Sequence, residues 1–159
     1  MLKVVLYQPE IPQNAGNIAR TCAAAGAELH LIRPLGFRWG DPKLKRAGLD
    51  YWEHVHYVLH DSWEAFREAV QGGGSGLWSP APARVWAFSS KATQDYAQVR
   101  YQPNDYLLFG PETRGLPPEV LEQFPAVTIP MPGQVRSLNL AVAVGIGLFE
   151  ALRQLRVGK

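Results

Sequence analysis

The chain has 159 residues, enough for one domain with a real core, and its 47% hydrophobic and 19% charged content is that of a globular protein. Its longest apolar run, Leu140 to Phe149, is too short to span a bilayer, and the single cysteine, Cys22, permits no internal disulfide. The net charge of +2 is mild, yet Arg33, Arg38, Lys43, Lys45 and Arg46 gather five of the 16 basic residues within one short stretch.

Met1–Tyr7 leads straight into a charged, prolyl loop without the pattern of a secretory signal, so a cytoplasmic protein is expected. Lys3–Tyr7 reads as a strand ending at Gln8-Pro9, and Gln13–Ala25 as a helix with a small apolar face and Gly26 as its stop. Leu29–Ile32 is the next strand, closed by Pro34. The basic loop and a short helix near Leu44–Ala47 follow. Val55–Leu59 has the composition of a strand, and Asp61-Ser-Trp-Glu64 is a capping pattern that opens a helix to Val70. Gly72 to Ala83 reads as a flexible surface insertion within a single domain spanning the whole chain. Strands are expected at Arg84–Phe88, Tyr106–Phe109 and Val127–Ile129, a helix at Pro118–Gln123, and a long terminal helix from Leu138 to Arg156. That helix is apolar almost all round and must be buried on more than one side. Repeated strand–helix units predict an α/β fold, a mostly parallel sheet with helices on both faces.

Several sites are excluded. No G-x-G-x-x-G follows a strand, and neither a P-loop nor a G-x-S-x-G elbow is present. Gly145-Ile-Gly147 lies inside the apolar helix and reads as close packing. The histidines lack metal-ligand company, with His54 and His56 on a solvated strand edge, and Cys22 faces the core; no metal is expected. Polar residues remain at the strand-to-helix turns. Asn14 and Arg20 stand close to two helical turns apart and can share a side. Asn14 can equally be a helix cap, whereas Arg20 among Ala, Ile and Cys needs an anionic or polar partner. Glu112, just after Gly110-Pro111, is either a functional carboxylate or a partner of Arg114. Ser137 is a candidate N-cap of the last helix, and Asn139 is harder to explain that way.

Asn14-Ala-Gly-Asn-Ile-Ala-Arg20, Leu108-Phe-Gly-Pro-Glu-Thr-Arg-Gly-Leu116 and Ile129-Pro-Met with Arg136-Ser-Leu-Asn139 resemble, in order and spacing, the three motifs of the SpoU-type RNA 2′-O-methyltransferases of the SPOUT superfamily. Lys45-Arg-Ala-Gly-Leu-Asp-Tyr51 and the lack of an added RNA-binding domain are similar to the minimal branch that methylates the wobble ribose, position 34, of certain leucine tRNAs. The resemblance implies a C-terminal trefoil knot and a homodimer. It also implies S-adenosylmethionine as cofactor, held at Phe88, Gly110, Ile129 and Ser137. For the chemistry it implies Arg20 as general base, supported by Glu112, Asn14 and Asn139. A guanidinium has no acceptor site while charged, so stabilisation of alkoxide character by Arg20 is the easier role, with a phosphate or Glu112 assisting, or with Glu112 orienting Arg20 through a bidentate pair.

For the RNA partner, an anticodon stem-loop, the phosphate-binding candidates are Arg33, Arg38, Lys43, Lys45 and Arg46, with Arg114 at the mouth of the site. The basic loop can also be a merely solvated one. Tyr51 or Trp52 is a candidate for stacking on a base, or for core packing. Alternatives are a different target ribose, such as position 18 or a ribosomal site, a non-catalytic RNA-binding module, or an unrelated nucleotide-binding α/β domain.

Overall fold

The structure, a computed structural model, describes residues 1–71 and 83–157. Six strands form one sheet: β1 (Lys3–Tyr7), β2 (Glu28–Ile32), β3 (Tyr57–His60), β4 (Val85–Phe88), β5 (Tyr106–Phe109) and β6 (Ala126–Val127). Their order is β3-β2-β1-β5-β4-β6, and every pairing between them is parallel. The helices are α1 (Pro12–Ala25), α2 (Pro42–Gly48), α3 (Trp63–Val70), α4 (Pro118–Leu121) and α5 (Leu140–Val157). A 3-10 turn covers Leu49–His54.

Alternation along the strands divides the core. In β1, Val4 and Leu6 join the cluster that holds Ile18 and Cys22 of α1 and Val144 and Leu148 of α5. Val5 points the other way, to Phe66 of α3 and Val120 of α4. Both faces of the sheet are therefore covered, which is why its strands read as continuous apolar runs rather than alternating ones. The chain runs outward from β1 to β2 and β3, then returns to place β5 on the opposite side of β1. The strand ends flanking that reversal are where open α/β sheets put their ligands.

The expected elements all occur, with shifted ends. The third strand is Tyr57–His60 rather than Val55–Leu59. The last is only Ala126–Val127, because Thr128 leaves the sheet to bridge Asp95. The terminal helix starts at Leu140, not Leu138, for a reason that lies in its cap. The Gly72–Ala83 insertion falls, except for Ala83, outside the described residues. Gly147 does mediate close packing, since a Cβ there would sit 2.8 Å from the Phe88 ring. A Cβ on Gly145 would meet nothing within 4 Å, so close packing does not explain that residue.

Candidate active site

The loops after β1, β4, β5 and β6 and the start of α5 enclose a cavity of about 490 Å³. Its floor is the stacked pair Phe88 and Phe109, ring centroids 4.5 Å apart. Phe88 is buried beneath α5, so its ring is a wall and not a reaching group. The loop after β5 closes tightly on itself. A side chain at Gly110 would lie 2.4 Å from the backbone of Gly115 and Leu116, and Gly115 itself has φ +68°. Both positions thus require glycine for this turn.

Three of the side chains singled out in the sequence meet here in one chain of hydrogen bonds. Glu112 accepts from the backbone N–H groups of Glu10 at 2.8 Å and Ile11 at 2.7 Å, and from Asn14 Nδ2 at 3.2 Å. Asn14, 7% exposed, accepts in turn from Asn139 Nδ2 at 3.1 Å. Asn139 Oδ1 accepts from the N–H groups of Ala141 and Val142. Helix α1 has no side-chain cap or acidic first turn of its own. The Glu112 carboxylate therefore supplies both acceptors and charge at its N-terminus. Glu112 bonds neither Arg114 nor Arg20; its oxygens are taken by these three donors.

Asn139, not Ser137, caps α5, since its oxygen reaches the second and third helical N–H groups as an N-cap does. Ser137 lies further out and lines the cavity with Gly110 and Ile129. A second clasp ties the same loops together. Thr113 donates to the Glu10 carboxylate through its N–H at 2.9 Å and its hydroxyl at 2.8 Å. These bonds, with Arg114 nearby, hold the Glu10 carboxyl below its ordinary pKa.

Arg20 is placed differently from expectation. It is exposed, it does not line the cavity, and its guanidinium lies 5.0 Å from the centre of the Tyr51 ring. Six residues of α-helix turn through 600°, which leaves Arg20 about 120° around α1 from Asn14. The two do not share a side. The apolar neighbours in sequence, Ile18, Ala19 and Cys22, face the core, while Arg20 faces out.

The basic residues Arg38, Lys43, Lys45 and Arg46 are exposed around α2, outside the cavity. Arg33 pairs with Asp61 at 3.0 Å. Helix α2 sits hard against α1, because a Cβ on Gly16 would lie 2.5 Å from Ala47 Cβ. Trp52 packs on Trp39 and Tyr57, and Tyr51 lies under Arg20. Arg114 does line the cavity, and so do Lys91 and Arg136, two cations the sequence reading passed over. Glu10 was also missed. Its partner Thr113 is 103 positions away, so no local signal exists for it. For Arg136 a signal was available, since it opens the Arg136-Ser-Leu-Asn139 stretch. Among the described residues no group of three or more His, Cys, Asp or Glu is arranged to hold a metal.

Residues 1–149 match the model of the SpoU rRNA Methylase family. A protein of Yersinia pestis named tRNA (cytidine(34)-2′-O)-methyltransferase is 50% identical over 98% of this chain and 94% of its own. A solved structure described as giving insights into 2-OH methylation of C/U34 on tRNA is 62% identical, with a TM-score of 0.91 over 100% of this chain and 98% of its own. A SpoU methyltransferase from Streptomyces viridochromogenes in complex with the cofactor AdoMet is 28% identical, with a TM-score of 0.84 over 100% of this chain and 59% of its own.

Proposed function

This chain belongs to the SpoU methylase family, and we propose that it transfers a methyl group from S-adenosylmethionine to the ribose 2′-hydroxyl of the wobble nucleotide, cytidine or 5-carboxymethylaminomethyluridine, of leucine tRNAs. The observation that carries the reading is the Glu112–Asn14–Asn139 relay, which draws residues of all three motifs to one edge of a single cavity. The wobble position follows from the activity for which the Yersinia pestis relative is named. The leucine tRNAs are supported by the resemblance of Lys45-Arg-Ala-Gly-Leu-Asp-Tyr51 to the minimal branch. A cytoplasmic setting accords with this substrate.

The cavity fits the cofactor. Its volume of about 490 Å³ lies within the range of roughly 300–1,000 Å³ usual for small-molecule sites. Its lining combines apolar Ile129, Leu138 and Leu140 with the polar groups of Thr128 and Ser137. Gly110, Ile129 and Ser137 would hold the cofactor from three loops, with the Phe88 ring in the same lining. When bound, the cofactor supplies a methyl group made electrophilic by its sulfonium.

The chain's own residues then align the hydroxyl. Each of Asn14 and Asn139 has one amide hydrogen committed within the relay, and the second, unpaired among the described residues, can donate to ribose or phosphate. Glu112 acts as a positioning residue, fixing Asn14 and the start of α1. Holding the reacting atoms in line supplies much of the acceleration. Arg20, always charged, stabilises the negative charge that develops as the hydroxyl loses its proton. It stands outside the cavity of its own chain, so ribose and arginine meet only in the complex with RNA or across a homodimer. The anticodon stem-loop lies over Arg38, Lys43, Lys45 and Arg46, with Arg33 released from Asp61 and Arg114 at the mouth.

Incubation with methyl-labelled S-adenosylmethionine and tRNA lacking the modification should place label in tRNA and protect one internucleotide bond from alkaline hydrolysis. Label in a base, or none in tRNA, would refute the proposal.

A further inference from the structure

The charge around the cavity is the wrong sign for its cofactor alone. Lys91, Arg114 and Arg136 line it from the loops after β4, after β5 and before α5, against one lining carboxylate, Glu112, and the Glu10 carboxylate near Arg114, which Thr113 already binds. The Glu112 carboxylate is already bound by three N–H donors. Among the described residues none of the three cations has a carboxylate within salt-bridge distance. S-Adenosylmethionine carries a sulfonium, an ammonium and a carboxylate, a net charge of about +1 near neutral pH. Three cations around a cationic ligand are repelled in sum, so they answer to a second, anionic ligand that enters at the same mouth. An RNA strand brings one negative phosphodiester on each side of the ribose it presents.

We propose that Lys91 and Arg136, together with Arg114, form a phosphate subsite that grips the phosphodiesters flanking the target ribose. The inference rests on the methyl-transfer function proposed above and adds two residues to it. The backbone at Lys91 is held in a turn: its N–H donates to Ser89 Oγ at 3.1 Å, and Ala92 N–H donates to the Ser89 carbonyl. Arg136 lies in an exposed segment one residue before Ser137, so a phosphate held there lies next to the cofactor loops. Both side chains are exposed, and each is free to neutralise an incoming phosphate. Their separation from the patch on α2 makes the binding two-part. The patch holds the stem-loop, and the mouth registers one nucleotide.

The test uses the full-length protein, S-adenosylmethionine, and a leucine tRNA anticodon stem-loop made either with natural linkages or with a neutral methylphosphonate beside the target nucleotide. Lys91→Gln and Arg136→Gln should each weaken binding of the natural stem-loop about tenfold at low salt. Each should also flatten the dependence of log K on log salt by about 0.7–0.9. Affinity for S-adenosylmethionine alone, read by calorimetry, should stay within about twofold of wild type. The neutral linkage should cost the wild type a similar factor and cost the matching variant little more, because both remove one interaction. A fall in cofactor affinity with RNA binding intact would assign these cations to the cofactor carboxylate and overturn the proposal. Unchanged RNA affinity and salt slope, or full additivity with the neutral linkage, would overturn it too. If wild-type protein binds the stem-loop and methylates nothing, the function itself has failed, and the binding data still decide the subsite.

Discussion

Arg20 shows how far a motif can be read without its geometry. Its neighbours in the sequence are apolar, which put it on a buried face; the helix turns it outward onto Tyr51. The sequence marked Asn14, Glu112 and Asn139 as special but not their mutual bonds, which join positions 98 and 125 residues apart. Such contacts have no local pattern, so the sequence leaves the role of Glu112 open between a functional carboxylate and a partner of Arg114, and the cap of α5 proves to be Asn139 rather than the candidate Ser137. Arg20→Ala should leave S-adenosylmethionine affinity nearly unchanged, because the side chain lies outside the cavity. Transfer should fall roughly 10²–10³-fold, the usual cost of losing one charge-stabilising group, on the order of 3–4 kcal/mol. Arg20→Lys should restore little, since an ammonium lacks the planar fork. Lys45→Ala and Arg46→Ala should instead raise KM for tRNA in a salt-dependent way with kcat largely kept. Near-normal turnover in Arg20→Ala would remove that residue from the mechanism.

Among the elements, strands and helices were legible because burial on both faces leaves continuous apolar runs between turn residues. Their ends were not, since caps and bridges set them. The β2–β3 edge also holds a feature that periodicity hides. In the sequence His30 and His60 show only a lack of metal-ligand company, yet both are buried and stacked, ring centroids 5.0 Å apart. Glu28 Oε1 lies 2.5 Å from His30 Nε2, and His30 Nδ1 lies 2.7 Å from His60 Nε2. The arrangement suits two neutral rings, each donating toward Glu28. Burial, and then the neighbouring His30, pulls the pKa of His60 down to about 4, with Asp61 and Glu28 opposing. Burial likewise lowers that of His30, against the pull of Glu28. An unfolded chain takes up the His60 proton near pH ~6.5, whereas the folded chain resists until about 4. Stability from His60 is therefore complete above pH ~6.5 and is lost as pH falls through that window. The melting temperature should drop between those limits, and His60→Gln should show a shallower drop. Parallel curves for the two proteins would contradict the burial argument.

At the scale of the whole molecule, the parallel sheet and its two covered faces follow from the strand–helix alternation, but threading does not. A trefoil knot leaves no trace in composition or period, and it was expected only from the family. The proposed homodimer has a physical motive. Val142 and Phe149, two helical turns apart on α5, are 51% and 45% exposed, although the rest of that helix is largely packed. Sedimentation should show a dimer at micromolar concentration and a shift toward monomer in Phe149→Asp; a monomeric wild type would remove the dimer from the mechanism. Among the described residues no helix is long and apolar enough to cross a membrane. The central claim, that this fold delivers a methyl group to one ribose of one RNA, is tested most directly by nucleotide mapping. A leucine tRNA lacking the modification, treated with the protein and S-adenosylmethionine, should be digested and read by mass spectrometry. A single added methyl on the ribose of nucleotide 34, and none when that nucleotide carries a 2′-deoxyribose, is the result predicted. A methyl at any other nucleotide, on a base, or surviving the 2′-deoxy substitution would contradict it.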